Sequence, residues 1–552
     1  MLNCRLVLLH LLLALALTMQ GQSVVSVADF GAAPDDGIND APALRAAAAY
    51  CRAHAGTTLV FPAGTYELED TMAMDIERRA ISGAYGRGIE VQWKLFRPQR
   101  PFVTGLDFTG CHRLTIEAHG AVLRVAGWMQ VLSFIGCQDI VLKGLSITYR
   151  RPAATEARVV AVSEDHYDLE FDPQLYAHID SIVQGRYYFY SRQRHHFYYF
   201  PMGRTELLQP GRFRVHSSQQ PPLDDVCIIR YGGHYRPCIM IKESARVRVE
   251  GVTLRSFPGM GIVGHLSEDI MIDHLNVEPE PGRYSSTSTD ATHFTSCSGT
   301  LTIQNSHFCG NGDDCTNIHN YYYQALPQAD ASAIELRIEG ADLHAQSLDY
   351  PFAGDTLVLI DEQNMRERGR YVVRSTEVSD EDWRVIAHLD RPIQEHEVAG
   401  ALMYNQTRFP KVRILNNRVD YHNGRAFLLK ARDIEVRGNH ISGCTLSAIK
   451  LGAELSWREA GPVERVVIED NEICHTGTEP SYVASCVMVS TEAPETPSCL
   501  NTNILIRNNR LQSDRPVSIR LADAAHVRIE GNTFIGHAQV IRQNCEDVEI
   551  SK

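Results

Sequence analysis

No run of lysine or arginine interrupts the acidic balance of this 552-residue chain, which carries 53 Lys and Arg against 67 Asp and Glu and a formal charge of −14. Without such a run nothing neutralises a phosphate backbone, which excludes nucleic acid as a partner. A polyanionic substrate is disfavoured too, unless a local basic groove overrides the total. No CxxC pair and no His/Cys cluster has zinc spacing, so no metal or other cofactor is expected. Beyond the amino end no stretch is apolar enough to span a membrane. Disorder is excluded as well, because 44% hydrophobic and 22% charged residues are ordinary for a folded domain.

What is present begins with a leader. Arg5 precedes the apolar run LVLLHLLLALALTM, which gives way to the small polar residues QGQS. That layout predicts a secretory signal over residues 1–23 and export to the periplasm or beyond the cell. Cys4 would leave with it, so 13 of the 14 cysteines remain, an odd number in an exported chain. Most read as small buried hydrophobes, although a Cys309–Cys315 bridge would brace the segment between them.

The body is repetitive. Short alternating β-branched strands followed by Asn or Gly recur, among them ARVRVEGVTL from Ala245, KVRILNNRV from Lys411 and TNILIRNNRL from Thr502. Matching positions fall 21 to 23 residues apart, as in Ile506, Ile529 and Ile550. Such spacing predicts an all-β fold, a right-handed parallel β-helix of the pectin-lyase-like kind, with apolar residues in the bore and left-handed corners at Asn or Gly. Two gaps break the rhythm, from Leu142 to Val249 and from Ile303 to Ile414. Each carries its own alternating strands and is read as a small antiparallel β-barrel or sandwich inserted at a corner, over 150–236 and 322–405. The solenoid then comprises a capped first part over 24–149, a middle part over 237–321 and a last part over 406–552. The cap is an Ala-rich helix from Ala41 to about His54, preceded by Asp35–Asp36 in a polar turn, and it covers the open end of the bore.

The most informative segment runs from 283 to 319. Asp290 and Asp313 lie 23 residues apart, one coil, and Asp314 adjoins the second. Equivalent positions on successive coils lie roughly 5 Å apart, so three carboxylates converge on one patch. An inverting glycosidase needs such a group: one carboxyl protonated for the leaving oxygen, another ionised to activate water, roughly 6.5–9.5 Å apart. Crowding of like charges raises one pKa and supplies the acid.

The stretch PGRYSSTSTDATHF…GDDCTNIHN, together with FPGMGIVGHLSEDI, the two insertions and LSWREAG, resembles glycoside hydrolase family 110, and the likeness spans nearly the whole mature chain. The resemblance implies an exo-acting α-1,3-galactosidase that releases terminal galactose with inversion from an oligosaccharide or glycoconjugate. It also implies that Asp290, Asp313 and Asp314 are the catalytic aspartates, with Asp313 as general acid and Asp290 with Asp314 as the water-activating pair. Where the family tends to carry Arg-x-Arg-Gly, this chain has HNGRAFLL, with Asn423 at the earlier Arg position and Arg425 retained.

Around that trio, Trp457 is the expected stacking residue for the apolar face of the sugar. Arg283, His293, Asn317, His319, Arg425 and Glu459 are expected to bind its hydroxyls. The aromatic and basic run RYYFYSRQRHHFYYF (186–200) would either overhang the site or pack within its own insertion. Rival readings are a polygalacturonase-like hydrolase, which would need a Gly-His-Gly turn absent here and an Arg-x-Lys segment echoed only by Lys450, and a sugar-binding β-helix without catalysis. A homodimer is compatible with the sequence.

Overall fold

The computed structural model describes residues 23–86, 100–176, 179, 187–231, 233–338, 347–495, 499–536 and 539–551. The leader read at 1–23 therefore lies almost wholly outside the described residues. No helix among them is long and apolar enough to cross a membrane.

The chain winds into a parallel β-helix. One ladder passes from Val247 to Ile270, Leu301, Val412, Ile434, Val466, Ile504, Val527 and Val548, each the partner of the next on an adjacent coil. Ile506, Ile529 and Ile550 pair in the register their spacing predicts. These residues point into the bore, where all but the terminal Val548 and Ile550 are almost completely buried. Period-two alternation forces this, because a one-residue slip would turn the whole apolar set outward. The ends of both sequence gaps meet directly, Leu142 beside Val249 and Ile303 beside Ile414, so each insertion leaves and re-enters at one corner.

The corners divide the task that the Asn and Gly positions suggested. Asn416, Gly438, Asp470, Asn508 and Gly531 adopt left-handed backbone with φ between 54° and 67°. The following residues, Asn417, Asn439, Asn471, Asn509 and Asn532, stack instead into a ladder. From Asn439 onward each Oδ1 accepts both the backbone N–H and the side-chain amide of the preceding coil's asparagine. Buried amides so fully engaged are costly to truncate. Replacing Asn471 by Ala is expected to lower the unfolding free energy by about 3 kcal/mol, read by urea denaturation, since it orphans groups on two coils.

The helix Ala41–Ala53 caps the bore, burying Leu44, Ala47, Ala48 and Cys51. Asp35 and Asp36 accept backbone N–H groups of Thr65 and Ile38 and form the polar turn beside it. The second insertion is a closed six-stranded antiparallel barrel between Tyr323 and Asn405. The first departs from the barrel expected there, being a seven-stranded antiparallel sheet with two edge strands. One face of this sheet docks on the coils, where Tyr188, Tyr190, Phe197, Val226 and Ile228 pack on Tyr284 and Tyr421 of the solenoid, while on the other face Tyr167, Phe189 and Phe200 pack on one another. All thirteen described cysteines are unbridged and ten are buried, which leaves Cys309 and Cys315 as small core side chains.

Candidate active site

Two strands of adjacent coils, Thr292–Thr295 and Thr316–Tyr321, build the floor of the candidate site. They pair as Thr292 with Thr316 and His293 with Asn317, and the ladder continues through Leu428 to Lys450. Phe294 and Ile318 enter the bore, while His293, Asn317 and Leu428 face the cleft. This register corrects the equivalence drawn from the 23-residue spacing. Ala291 N–H donates to Asp314 O and Cys315 N–H to Arg425 O, so Asp290, Asp314 and Arg425 occupy equivalent places. Asp313 sits one residue outside that column, at the corner.

A cleft is lined by His234, Asp290, His293, Asp313, Asp314, Asn317, Arg425, Leu428, Glu454, Trp457 and Glu459. The structure thus brings together eight of the ten residues proposed from sequence. The other two lie elsewhere. Arg283 donates to the Tyr176 hydroxyl at 2.5 Å and braces the first insertion. His319 lies on the outward face two residues beyond Asn317, fully buried behind His293.

Each carboxyl of the trio has its own surroundings. Asp314 Oδ1 accepts the Arg425 backbone N–H at 2.6 Å, and Oδ2 lies 3.4 Å from the guanidinium. Gly424 makes this approach feasible: its φ is +99°, and a Cβ there would lie 2.7 Å from Asp314 Oδ1. Burial pushes the Asp314 carboxyl up to about 7, with Arg425 opposing and Asp313 adding to the rise. Asp313 is pushed up to about 7 by burial and then by Asp290, against the pull of Arg230 and Arg425.

Asp290 heads a hydrogen-bond chain. Its Oδ2 lies 2.6 Å from His293 Nδ1, His293 Nε2 lies 2.9 Å from His319 Nε2, and His319 Nδ1 lies 2.7 Å from the Asn320 carbonyl. That carbonyl can only accept, so His319 carries its proton on Nδ1 and offers a lone pair at Nε2. His293 must then donate from Nε2. Burial holds the His293 imidazole down to about 4, hence neutral, which leaves Nδ1 as an acceptor. The proton between His293 and Asp290 therefore resides on Asp290, whose carboxyl burial and then Asp314 and Glu459 raise well above the usual range.

Behind the cleft lies a buried ion network that the sequence reading missed. Arg425 bridges Asp314 to Glu454, which it meets at 2.8 Å. Lys430, with no solvent exposure of its side chain, donates to Glu459 and lies 3.5 Å from Glu454. Asn317 Nδ2 donates to Glu459 Oε1 at 2.9 Å. Lys450 donates to Ser490 O at 2.9 Å and stands 3.9 Å from Glu454. The signal available in sequence was a lysine ending the apolar strand FLLK and a glutamate opening the corner AELSWREAG. Charges there are buried only when paired. His293, His319 and Glu459 also come close enough to suggest a metal, as do His307, Cys309 and Asp420. The two imidazoles hydrogen-bond each other, and His307 Nε2 meets Asp420 Oδ2 at 2.8 Å.

No family model matches the chain. Among curated proteins it is 26% identical to α-1,3-galactosidase A of Bacteroides fragilis (strain YCH46), over 94% of this chain and 88% of that protein. It is 25% identical to α-1,3-galactosidase A of Shewanella woodyi, over 81% and 75%. To α-1,3-galactosidase B of Bacteroides thetaiotaomicron it is 24% identical, over 89% and 82%. Among solved structures it resembles the family 28 exopolygalacturonase of Yersinia enterocolitica, with a TM-score of 0.42 and 12% identity over 96% of this chain and 78% of that one.

Proposed function

We infer, proceeding from membership of the α-1,3-galactosidase family, glycoside hydrolase family 110, that this cleft removes a terminal α-1,3-linked galactose with inversion of its anomeric configuration. A glycoside hydrolase acting on α-galactosides follows from the family; the finer reading rests on the site. The observation that carries it is the difference between two neighbouring carboxyls. Asp314 is held by the guanidinium and backbone of Arg425, contacts that favour its anion. Burial raises both carboxyls alike to about 7, so the Arg425 contacts are what separate them, leaving Asp314 the readier to ionise and Asp313, at the corner, the one suited to holding a proton.

Asp313 donates that proton to the glycosidic oxygen as the C1–O bond breaks. Asp314 takes a proton from the water that attacks C1 from the opposite face, leaving β-galactose. Asp290, already protonated toward His293, keeps its other oxygen to orient the water, so within the water-activating pair Asp314 is the base. Trp457, 43% exposed at the rim, offers a flat apolar face to the sugar. Asn317, Arg425 and Glu459 offer donors and acceptors to its hydroxyls. The leader at 1–23 supports export.

Proton NMR of the enzyme acting on Galα1-3Gal tests this reading. The first anomeric signal of released galactose should be that of the β form, with the α form growing later by mutarotation. Early α-galactose would remove inversion. Silence on this substrate with cleavage of oligogalacturonate would replace the reading by a polygalacturonase-like one.

A further inference from the structure

The run at 186–200 does two things at once. Its strands Tyr187–Ser191 and His196–Tyr198 pack within the first insertion, as Tyr188, Tyr190 and Phe197 show. Tyr199, just beyond, leaves the sheet and reaches the catalytic corner. Its hydroxyl donates to Asn423 Oδ1 at 2.8 Å, and Asn423 Nδ2 donates to Gly312 O, also at 2.8 Å. Gly312 immediately precedes Asp313, and both Asp313 and Arg230 act on the Tyr199 hydroxyl. Asn423 is the position at which this chain departs from the pattern it resembles, so the departure is tied to Tyr199.

Tyr199 does not stand alone. Its ring meets that of Tyr482 edge-on, with centroids 6.1 Å apart, and the two remain 40% and 50% exposed. One buried carboxylate fixes both. Glu479 Oε2 accepts the Tyr199 N–H at 2.9 Å, while Oε1 accepts the N–H and the hydroxyl of Ser481, next to Tyr482. Arg515 donates to the carbonyls of Glu479 and Tyr482 at 3.0 Å and ties down the same loop. Tyr199 and the backbone of the loop that carries Tyr482 are thus tied down by polar groups, while both rings remain partly open to solvent.

We propose that Tyr199 and Tyr482 form an aromatic platform for the leaving-group side of the substrate, the sugar ring to which the terminal galactose is attached. The assignment rests on the reading of Asp313 as general acid. A general acid protonates the oxygen between the two sugars, so the ring being released must lie on its side of the cleft. Hexoses present one face of C–H groups, and a rigid aromatic surface is the usual complement to it. Trp457, in the corner after Ile449–Leu451, serves the terminal galactose.

The test uses two substrates that share galactose but not the leaving group. Galα1-3Gal releases a sugar; α-galactosyl fluoride releases an ion that needs neither proton nor platform. In Tyr482→Ala, whose side chain is half exposed, the ratio of kcat/KM for the disaccharide to that for the fluoride should fall about tenfold, chiefly through KM, the scale of an aromatic contact. Tyr482→Phe should restore it. Tyr199→Phe, which keeps the ring and loses the bond to Asn423, should give a smaller fall. An unchanged ratio, or equal losses on both substrates, would overturn the platform while wild-type activity leaves the galactosidase reading intact. Wild-type protein inactive on both substrates would overturn the galactosidase reading and the platform with it.

Discussion

Replacing Asp313 by Asn is expected to reduce hydrolysis of Galα1-3Gal at least a hundredfold while leaving much of the activity on α-galactosyl fluoride. The amide keeps the size of the side chain and removes its proton, and general acid catalysis of this kind is worth roughly 10² to 10⁴. Fluoride departs unprotonated, so the second substrate reports whether water activation survives. Asp314→Asn should lose both activities, because the base is needed whatever leaves. Equal losses in the Asp313 variant would reassign that carboxyl. The pH dependence follows the same logic. With Asp313 raised to about 7, its proton is lost as pH rises through that value, and disaccharide hydrolysis should fall on that side. Fluoride hydrolysis should lack this alkaline limb. Both substrates should share an acid limb, since Asp314 too is raised to about 7 and becomes protonated below it, which leaves the disaccharide a narrow optimum near that value. Rate profiles on the two substrates, measured with one preparation, check every part of this.

The same contrast marks where sequence reading reached and where it stopped. The stacking of Ile506, Ile529 and Ile550 was legible because alternation and coil length are both one-dimensional signals, and the meeting of Leu142 with Val249 follows from them. The carboxylate trio was legible as a cluster, but its register was not. Spacing matched Asp290 to Asp313, whereas the strands after them pair with an offset of 24, as Thr292 with Thr316, and stack Asp314 over Asp290. A corner can hold one more residue without changing the strand pattern on either side, so counting alone cannot fix it. The docking of the first insertion was not legible either, since the partners of its outer face, Tyr284 and Tyr421, lie far along the chain. Arg283 is near Asp290 in sequence and turned from it in space. Lys430 and Glu454, by contrast, are 24 residues apart and belong to one network. Buried charge is set by partners from several coils, and no local pattern announces it.

That network leads to the second large effect. Lys430→Met should destabilise the protein by about 4 kcal/mol at neutral pH, the usual consequence of removing one partner from a buried ion pair. The side chain is fully buried, it donates to Glu459, and it lies 3.5 Å from Glu454 and 3.3 Å from Asn317 Oδ1. Methionine fills much of the volume, so what is lost is charge. Burial works against ionisation of Glu454, but Lys430, Arg425 and Lys450 outweigh it and hold its carboxyl below the usual range. A carboxyl depressed in this way contributes stability above its unfolded pKa, and that contribution is lost as pH falls through the folded value. In the variant the depression weakens and the buried carboxylates are under-compensated near neutrality. Protonating them in acid relieves the strain, so the deficit against wild type should shrink as pH falls below roughly 4.5 and widen above it. Urea denaturation at several pH values measures this directly. The double variant Lys430→Met, Glu459→Gln removes charge from both sides of the pair and should recover part of the loss. A deficit that ignores pH, or a double variant no better than the single, would mean that Lys430 acts through packing rather than charge. Because Glu459 and Asn317 line the cleft and hydrogen-bond each other, the single variant should also raise KM for the disaccharide, linking the charge behind the cleft to the sugar in front of it.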